Sequence, residues 1–190
     1  KALGVIFLNK GGIEVGEGTN ALREIDSISI EHMMPELKEC DFQIACDVTN
    51  PLCGKKGATY IYGKQKGIKE DEMEHIDADM QHYADKTIKK LEMDFSNTEG
   101  AGAAGGMGFA FISYLQARLI PGIKLILDVI HFTEDVKNVD IVITGEGRLD
   151  LQTTMGKAPI GVANEAKKYG CKVLAFSGSV TKEASACNEK

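Results

Sequence analysis

The sequence has no tryptophan and only 4 prolines among 190 residues, and aromatic residues make up 6% of it. No apolar stretch approaches the ~20 residues that a helix needs to cross a bilayer. Residues 1–5 lack the layout of a signal peptide. We therefore predict that the protein has no membrane partner and works in the cytoplasm.

Paired cysteine motifs are also absent. The 5 cysteines are odd in number and include no CxxC pair, which argues against a disulfide framework and a zinc ribbon. Unpaired thiols are typical of the reducing cytosol.

The sequence has no excess of positive charge. It carries 22 basic and 28 acidic residues, for a net charge of -6, and no basic block interrupts that balance. Nucleic acid is therefore not a predicted partner. A small anionic substrate stays open, because a few local cations can bind it whatever the net charge.

Several common catalytic motifs are missing. The interval from Gly57 to Gly63 is one residue too long for a Walker A loop, and Gln65 stands in place of its Ser or Thr. No GxSxG nucleophile elbow occurs. Gly100, Gly102 and Gly105 match GxGxxG, but no predicted strand precedes them, which disfavours a nucleotide-dependent oxidoreductase. Phosphoryl transfer stays open, because it needs mainly positioning and charge neutralisation.

The second half of the sequence predicts a parallel sheet. Residues 139–144 have apolar side chains on both faces and predict a fully buried strand, which is followed by a helix over 158–169 and a second strand over 172–177. Strand, helix and strand form a βαβ unit with a right-handed crossover. We predict an α/β fold that divides near residue 130.

Before that division the pattern is mixed. Apolar residues at spacings of three and four predict a helix over residues 70–93. Residues 109–119 and 123–132 are predicted to be helices, and residues 42–48 a strand. Residues 60–62 are predicted to be extended, and the glycines at 11 and 12 to turn a hairpin.

The segment after the strand at 139–144 carries the densest charge. Ligands of open parallel sheets bind beyond the carboxyl ends of the strands. Glu146 and Asp150 are hard oxygen donors suited to Mg²⁺. Arg148 has a guanidinium that can grip a carboxylate or phosphate, and Lys157 lies where a helix begins and anions bind well. The alternative is a surface loop with solvated charges.

A second candidate site covers residues 46–67. Asp47 follows a predicted strand and could act as a base or a metal ligand, and Lys66 could neutralise a phosphate. A purely structural turn is the alternative. The glycine-rich residues 100–106 could cradle an anion at the start of a helix.

These segments carry a family resemblance. The motifs are CDVTNPLCG (46–54), YGKQKG (62–67), GAGAAGG (100–106) and TGEGRLD (144–150), followed by Gln152, Thr153 and Gly156–Lys157. Together they resemble the glycerate kinases of the two-domain, non-P-loop type along nearly the whole chain. Lys64 departs from this pattern, because the family has proline there in GPQKG, and the change adds a charge and loosens the turn.

The resemblance implies an ATP- and Mg²⁺-dependent phosphorylation of D-glycerate to 2-phosphoglycerate. It also implies a Rossmann-like domain interrupted by a second α/β domain, with the active site in the cleft between them. Residues 1–130 would be most of the inserted domain, and residues 131–190 part of the Rossmann-like one. On this comparison the chain is an internal fragment that we expect to be inactive alone. D-glycerate and ATP are the expected partners, and a homodimer is left open.

Site roles follow from the same resemblance. Asp47 is the expected base, Arg148 the grip on carboxylate or phosphoryl, and Lys66 a phosphate-neutralising cation, while Glu146 and Asp150 are the expected metal ligands. Substrate or phosphate binding is expected of Asn50, Gln65, Gly102, Gly105, Gly106, Thr153 and Lys157. A non-catalytic sugar-acid sensor on the same fold, or a kinase for another small hydroxy acid, is the alternative.

Overall fold

The computed structural model describes residues 1–150, 153 and 156–189. The chain forms two compact units, Lys1–Leu119 (unit 1) and Ile120–Lys190 (unit 2). Both combine helices with short sheets, and the sheet of unit 2 is parallel. The predicted α/β class is therefore confirmed, and each unit is described by itself.

Unit 1 contains two small sheets. Strand β1 (Ile6–Leu8) pairs antiparallel with β2 (Ser27–Ser29), and β3 (Gln43–Ala45) pairs with β4 (Arg118–Ile120). The predicted hairpin around the glycines is short, with a single bridge between Leu8 and Glu14.

A short helix, α1 (Ala58–Tyr62), replaces the extended segment predicted for residues 60–62. Tyr and Ile favour strands only where a pleated neighbour accepts them. Here Ala58 and Thr59 are buried, and Gly57 lies so close to the backbone of Cys53 that a Cβ would meet it at 2.4 Å. Tertiary packing therefore overrides the local preference, and the prediction was wrong.

The longest helix forms where the spacing of apolar residues predicted it. Helix α2 (Met73–Leu91) follows a 3-10 turn at Glu70–Glu72 and ends at Glu92, which is left-handed. Its buried face contributes Met80, Tyr83 and Ala84 to the core. The Tyr83 ring makes edge-on contacts with Phe7 and Phe109, with ring centroids 5.8 and 5.5 Å apart. Such pairs add stability beyond the area they bury.

Helix α3 (Ala103–Leu115) begins earlier than predicted and is kinked near its start. Ala104, Gly105 and Gly106 all have positive φ, which L side chains rarely adopt. The glycine-rich segment is thus part of the helix entry rather than a separate loop.

Unit 2 contains helices α4 (Gly122–Val129), α5 (Phe132–Val136) and α6 (Ala158–Lys167) and strands β5 (Ile141–Leu149) and β6 (Lys172–Val180). The two strands are parallel, with Ile141 opposite Lys172 and Arg148 opposite Ser179. The predicted βαβ unit is confirmed.

Strand β5 extends past the predicted end at residue 144. Gly145 lies opposite Phe176, and a Cβ on it would meet the Phe176 carbonyl oxygen at 2.6 Å. The glycine therefore permits pairing where the sequence indicated a loop, and Glu146 and Arg148 lie in the strand.

The two faces of this sheet have different surroundings. Val142 and Val173 pack with Ala166 of α6, Val136 and Cys171 in the core of unit 2. The Cys171 thiol is buried and donates to the carbonyls of Val136 and Val139 at 3.3 and 3.2 Å. The opposite face exposes large apolar side chains, namely Ile141, Ile143, Leu174 and Phe176.

No helix within the described ranges is both long and apolar enough to cross a membrane.

Candidate active site

In unit 1 the loop of residues 46–57 is fixed at several points. Leu52 is fully buried, and its amide donates to the Ser96 carbonyl at 2.8 Å. The amide of Gly54 donates to both carboxylate oxygens of Asp77, at 2.9 and 3.1 Å. The 46–57 loop is therefore held by helix α2 and by the segment that precedes the glycines.

Asn50 connects this loop to two other segments. Its Nδ2 donates to the Lys56 carbonyl at 2.8 Å, and its Oδ1 accepts from the Tyr62 hydroxyl at 2.5 Å. Its own carbonyl accepts from the Gly102 amide at 2.9 Å. The structure thus brings the predicted site residues Asn50 and Gly102 into direct contact.

The glycine segment (residues 100–106) packs closely on the same loop. A Cβ on Gly102 would lie 2.3 Å from the Pro51 carbonyl oxygen, and one on Gly106 would lie 2.9 Å from the Leu52 side chain. Gly105 differs, because it is exposed and has no such neighbour within 4 Å. Of these three glycines, Gly105 is the one whose backbone is open to a ligand.

The charged candidates of unit 1 are exposed. Asp47 follows β3 by two residues, and Gln65 and Lys66 lie in the 3-10 turn Lys64–Lys66, which closes at left-handed Gly67. We call residues 64–67 the lysine turn. It follows directly from α1, so Tyr62 connects it to Asn50.

In unit 2 the candidates gather around Thr153. The Thr153 hydroxyl donates to Glu146 Oε1 and accepts from the Asp150 amide at 3.2 Å, while the Thr153 amide donates to the Asp150 carbonyl at 3.0 Å. Thr153 is fully buried. It therefore ties Glu146, in β5, to Asp150, which follows the strand.

Cations surround the Asp150 carboxylate. Lys157 Nζ lies 3.6 Å from its Oδ1, and Arg148 Nε lies 3.9 Å from its Oδ2. These separations are too long for direct hydrogen bonds. Both cations are more than a third exposed and can reach an anionic ligand.

A further carboxylate lies in the field of Arg148. The pKa of Glu183 is lowered by a hydrogen bond from its own backbone amide, then by the Thr181 hydroxyl, with a smaller effect from the Arg148 charge. Arg148 thus lies near two carboxylates, those of Asp150 and Glu183, whose negative charges would favour a bound cation.

The sequence did not single out three residues that shape these sites. Tyr62 and Asp77 hold the 46–57 loop, and Ser177 Oγ accepts from the amides of Leu149 and Ser179 at 3.1 and 3.2 Å. For Ser177 the available sequence signal was its place at the end of the predicted strand 172–177, next to the strand that carries the charged residues. Tyr62 lies in the YGKQKG motif and Asp77 in no motif, and the role of neither could be predicted because their partners are distant in sequence.

Gln152, part of the motif after β5, lies outside the described residues. Within the described ranges no cluster of three or more His, Cys, Asp or Glu side chains could hold a metal. Mg²⁺ needs only one or two carboxylates when substrate phosphates and waters complete its shell. Glu146 and Asp150, tied through Thr153, fit that requirement.

A family model described as the glycerate kinase family matches residues 1–190. The chain belongs to the glycerate kinase family.

Its relatives include named enzymes. Glycerate kinase of Bacillus subtilis (strain 168) is 44% identical over 98% of this chain and 49% of its own length. Glycerate 2-kinase of Escherichia coli (strain K12) is 44% identical over 95% of this chain and 48% of its own length. This glycerate kinase family chain therefore spans about half the length of the curated relatives it matches.

A solved structure agrees with the fold. A crystal structure assigned as glycerate kinase 2 from Salmonella typhimurium LT2 matches 99% of this chain and 55% of its own, with a TM-score of 0.85 and 35% identity. The suspected family and the fold class are both confirmed.

Proposed function

We propose that the protein carrying this glycerate kinase family chain transfers the γ-phosphoryl group of ATP to the C2 hydroxyl of D-glycerate, giving 2-phosphoglycerate. Family membership supports the kinase chemistry, and the E. coli relative is named a glycerate 2-kinase. The observation that carries the proposal is the Glu146–Thr153–Asp150 connection, with Arg148 and Lys157 beside Asp150.

The unit 2 residues have the properties that phosphoryl transfer needs. Its transition state spreads negative charge over the transferred oxygens, so fixed cations and a metal stabilise it. We assign that role to Arg148 and Lys157. Glu146 and Asp150 would hold Mg²⁺, which when bound neutralises phosphate charge. The Thr153 hydroxyl orients the Glu146 carboxylate, and Thr153 holds Asp150 through its backbone.

Unit 1 contributes a base and phosphate contacts in this proposal. Asp47 would accept the proton of the glycerate hydroxyl as it attacks phosphorus. Gln65 and Lys66 of the lysine turn would contact phosphate oxygens. Gly105 would offer open backbone at the helix entry, whereas Gly102 and Gly106 bring the glycine segment close to the 46–57 loop.

Localisation and assembly belong to the same proposal. All five cysteines are unpaired, which suits the reducing cytoplasm. We propose a cytoplasmic enzyme that needs neither nucleic acid nor a membrane, and we leave a homodimer to be tested by its mass in solution.

An assay of the protein at its full natural length tests the function. ADP release is measured with D-glycerate, ATP and Mg²⁺, and the phosphorylated carbon is identified by NMR. We expect turnover above roughly 1 s⁻¹ with the phosphate on C2. The 190-residue chain alone is assayed in parallel, and we expect no turnover from it. Full-length protein that binds glycerate without turnover would contradict the kinase proposal.

A substitution then tests the site. We expect Arg148→Ala to lower kcat/KM by roughly 10²–10³-fold, because it removes charge stabilisation of the transition state. Arg118→Ala is the matched control, since Arg118 also pairs with an aspartate, Asp41, at 2.6 Å, but lies in unit 1 rather than in the unit of Arg148 and has no proposed role. Equal activity of both variants would remove Arg148 from the mechanism.

A further inference from the structure

Three segments with proposed roles meet at Asn50, and the side chain that holds Asn50 has no role assigned so far. The 46–57 loop, the lysine turn and the glycine segment are connected through Asn50, and Asn50 is held by Tyr62. We propose that Tyr62 is a positioning residue of the kinase site, whose hydroxyl fixes the Asn50 carboxamide and through it the relative placement of the three segments. This inference rests on the proposed function.

The Asn50 carboxamide is held in one orientation. An asparagine side chain has one acceptor oxygen and one donor NH₂ group, and it can turn over to exchange them. The Tyr62 hydroxyl donates to Oδ1, while Nδ2 donates to the carbonyl of Lys56. Burial raises the pKa of the Tyr62 hydroxyl, which therefore keeps its proton at neutral pH. The Lys56 carbonyl can only accept, so it sets the orientation with Nδ2 on its side, and the Tyr62 hydroxyl holds Asn50 in that orientation by donating to Oδ1.

Asn50 and Tyr62 lie close in sequence to the proposed catalytic groups. Asn50 lies three residues after Asp47, and Tyr62 ends α1 just before the turn that carries Lys66. The carbonyl of Asn50 accepts the amide of Gly102. The Tyr62 hydroxyl therefore connects the 46–57 loop, which holds the proposed base, to the lysine turn, which holds the proposed phosphate-binding cation. Asn50 connects both to the glycine segment.

The side chain of Asn50 is largely occupied by hydrogen bonds within the protein. Its oxygen and one of its N–H donors are engaged within the protein. We therefore infer that Asn50 acts by joining segments rather than as the substrate ligand expected from its motif. Small displacements of reacting groups reduce rates strongly, because catalysis depends on a near-attack geometry.

Tyr62→Phe in the full-length protein tests the inference, because it removes only the hydroxyl. We expect kcat to fall roughly tenfold with little change in KM for ATP, as for lost alignment. We also expect the Gly102 amide to exchange with solvent roughly tenfold faster, because a tie that stabilises its acceptor is lost. Tyr60→Phe is the matched control: Tyr60 lies on the same helix and contacts Lys55 through its ring, which phenylalanine keeps.

A double variant separates positioning from general destabilisation. If Tyr62 acts through Asn50, adding Tyr62→Phe to Asn50→Ala lowers kcat no further than Asn50→Ala alone. Fully additive losses would overturn the proposal, and so would an unchanged kcat in Tyr62→Phe. A wild-type protein that does not phosphorylate glycerate would contradict the proposed function instead, and the Gly102 exchange rate would still test the Tyr62 tie by itself.

Discussion

The two units hold their candidate residues by different forces. In unit 1 the 46–57 loop and the glycine segment meet through close backbone approach and neutral hydrogen bonds, as at Gly102 and Asn50. In unit 2 the candidates are held by the hydrogen bonds of Thr153 and by charge, with Lys157 and Arg148 beside Asp150. The first arrangement depends on shape and the second partly on ionisation.

This contrast suggests a division of roles. A shape-based arrangement fixes backbone positions, and the charged residues Asp47 and Lys66 are exposed. A charge-based arrangement at ion-pair distances can exchange its partners when an anion or a metal binds. Substitutions that alter volume should therefore affect unit 1 most, and changes of salt should affect unit 2 most.

Gly102→Ala should show the largest effect. Its new Cβ would lie 2.3 Å from the Pro51 carbonyl oxygen, and a backbone atom cannot move aside cheaply. We expect a loss of about 1–3 kcal/mol in the local unfolding free energy of unit 1, measured by native-state hydrogen exchange. Gly147→Ala is the control, because no heavy atom lies within 4 Å of its added Cβ. Equal protection in both variants would show that shape does not dominate unit 1.

The next largest effect is expected from alkaline pH, which should lower the stability of unit 1. Burial raises the pKa of Cys53 from 9.0 to about 12, with help from the charges of Asp77 and Asp85. Because the folded pKa is the higher one, the folded state keeps a proton that the unfolded state loses above pH 9. The stability of unit 1 should therefore fall as pH rises from 9 towards 12.

Cys53→Ser isolates that contribution. The thiol is only partly buried, so we expect the alkaline loss of unfolding free energy to be smaller in the variant by about 1–2 kcal/mol. Burial also raises the pKa values of Tyr83 and Tyr114, and both remain in the variant. Local exchange rates of unit 1 measured at pH 8 and pH 11 give the comparison, and parallel losses in the two proteins would contradict the assignment to Cys53.

Asp150→Asn should have the smallest effect on stability. It removes two loose ion pairs, with Lys157 and Arg148, and partly exposed pairs contribute about 0.2–1 kcal/mol. We expect the difference in unit 2 protection between wild type and variant to shrink as salt is raised, because ions screen exposed charges. Glu165→Gln is a control within the same unit, since Glu165 pairs with Lys168 on the surface of α6. A difference independent of salt would show that Asp150 stabilises unit 2 by other means.

The sequence predicted the elements whose local signals agree with their packing. The apolar strand, the Pro159 at the start of α6 and the Gly170 after it indicated the βαβ unit, and all three elements formed. The end of β5 could not be predicted, because Gly145 resembles a loop residue until the Phe176 carbonyl is known to lie against it. The prediction for residues 60–62 failed for the same kind of reason, since their helix begins after Gly57, which lies against the backbone of Cys53.

The charged residues of the candidate site could be predicted from the sequence. Glu146, Arg148, Asp150 and Lys157 stood out because four ionisable groups follow one apolar strand. Tyr62 and Asp77 did not, because their bonds join residues 12 and 23 positions apart. The motifs of the family indicated which segments matter, but only the coordinates reveal which hydroxyl and which carboxylate hold them together.

Because the thiols differ in exposure, their rates of labelling can report the opening of unit 2. Cys40 is exposed and should react first with an alkylating reagent, whereas Cys171 is buried and donates to two carbonyls. Because reagent must reach the sulfur, labelling of Cys171 waits for unit 2 to open. The rate at which peptide mass spectrometry detects a label on Cys171 therefore reports how often unit 2 opens, with the exposed Cys40 as an internal reference.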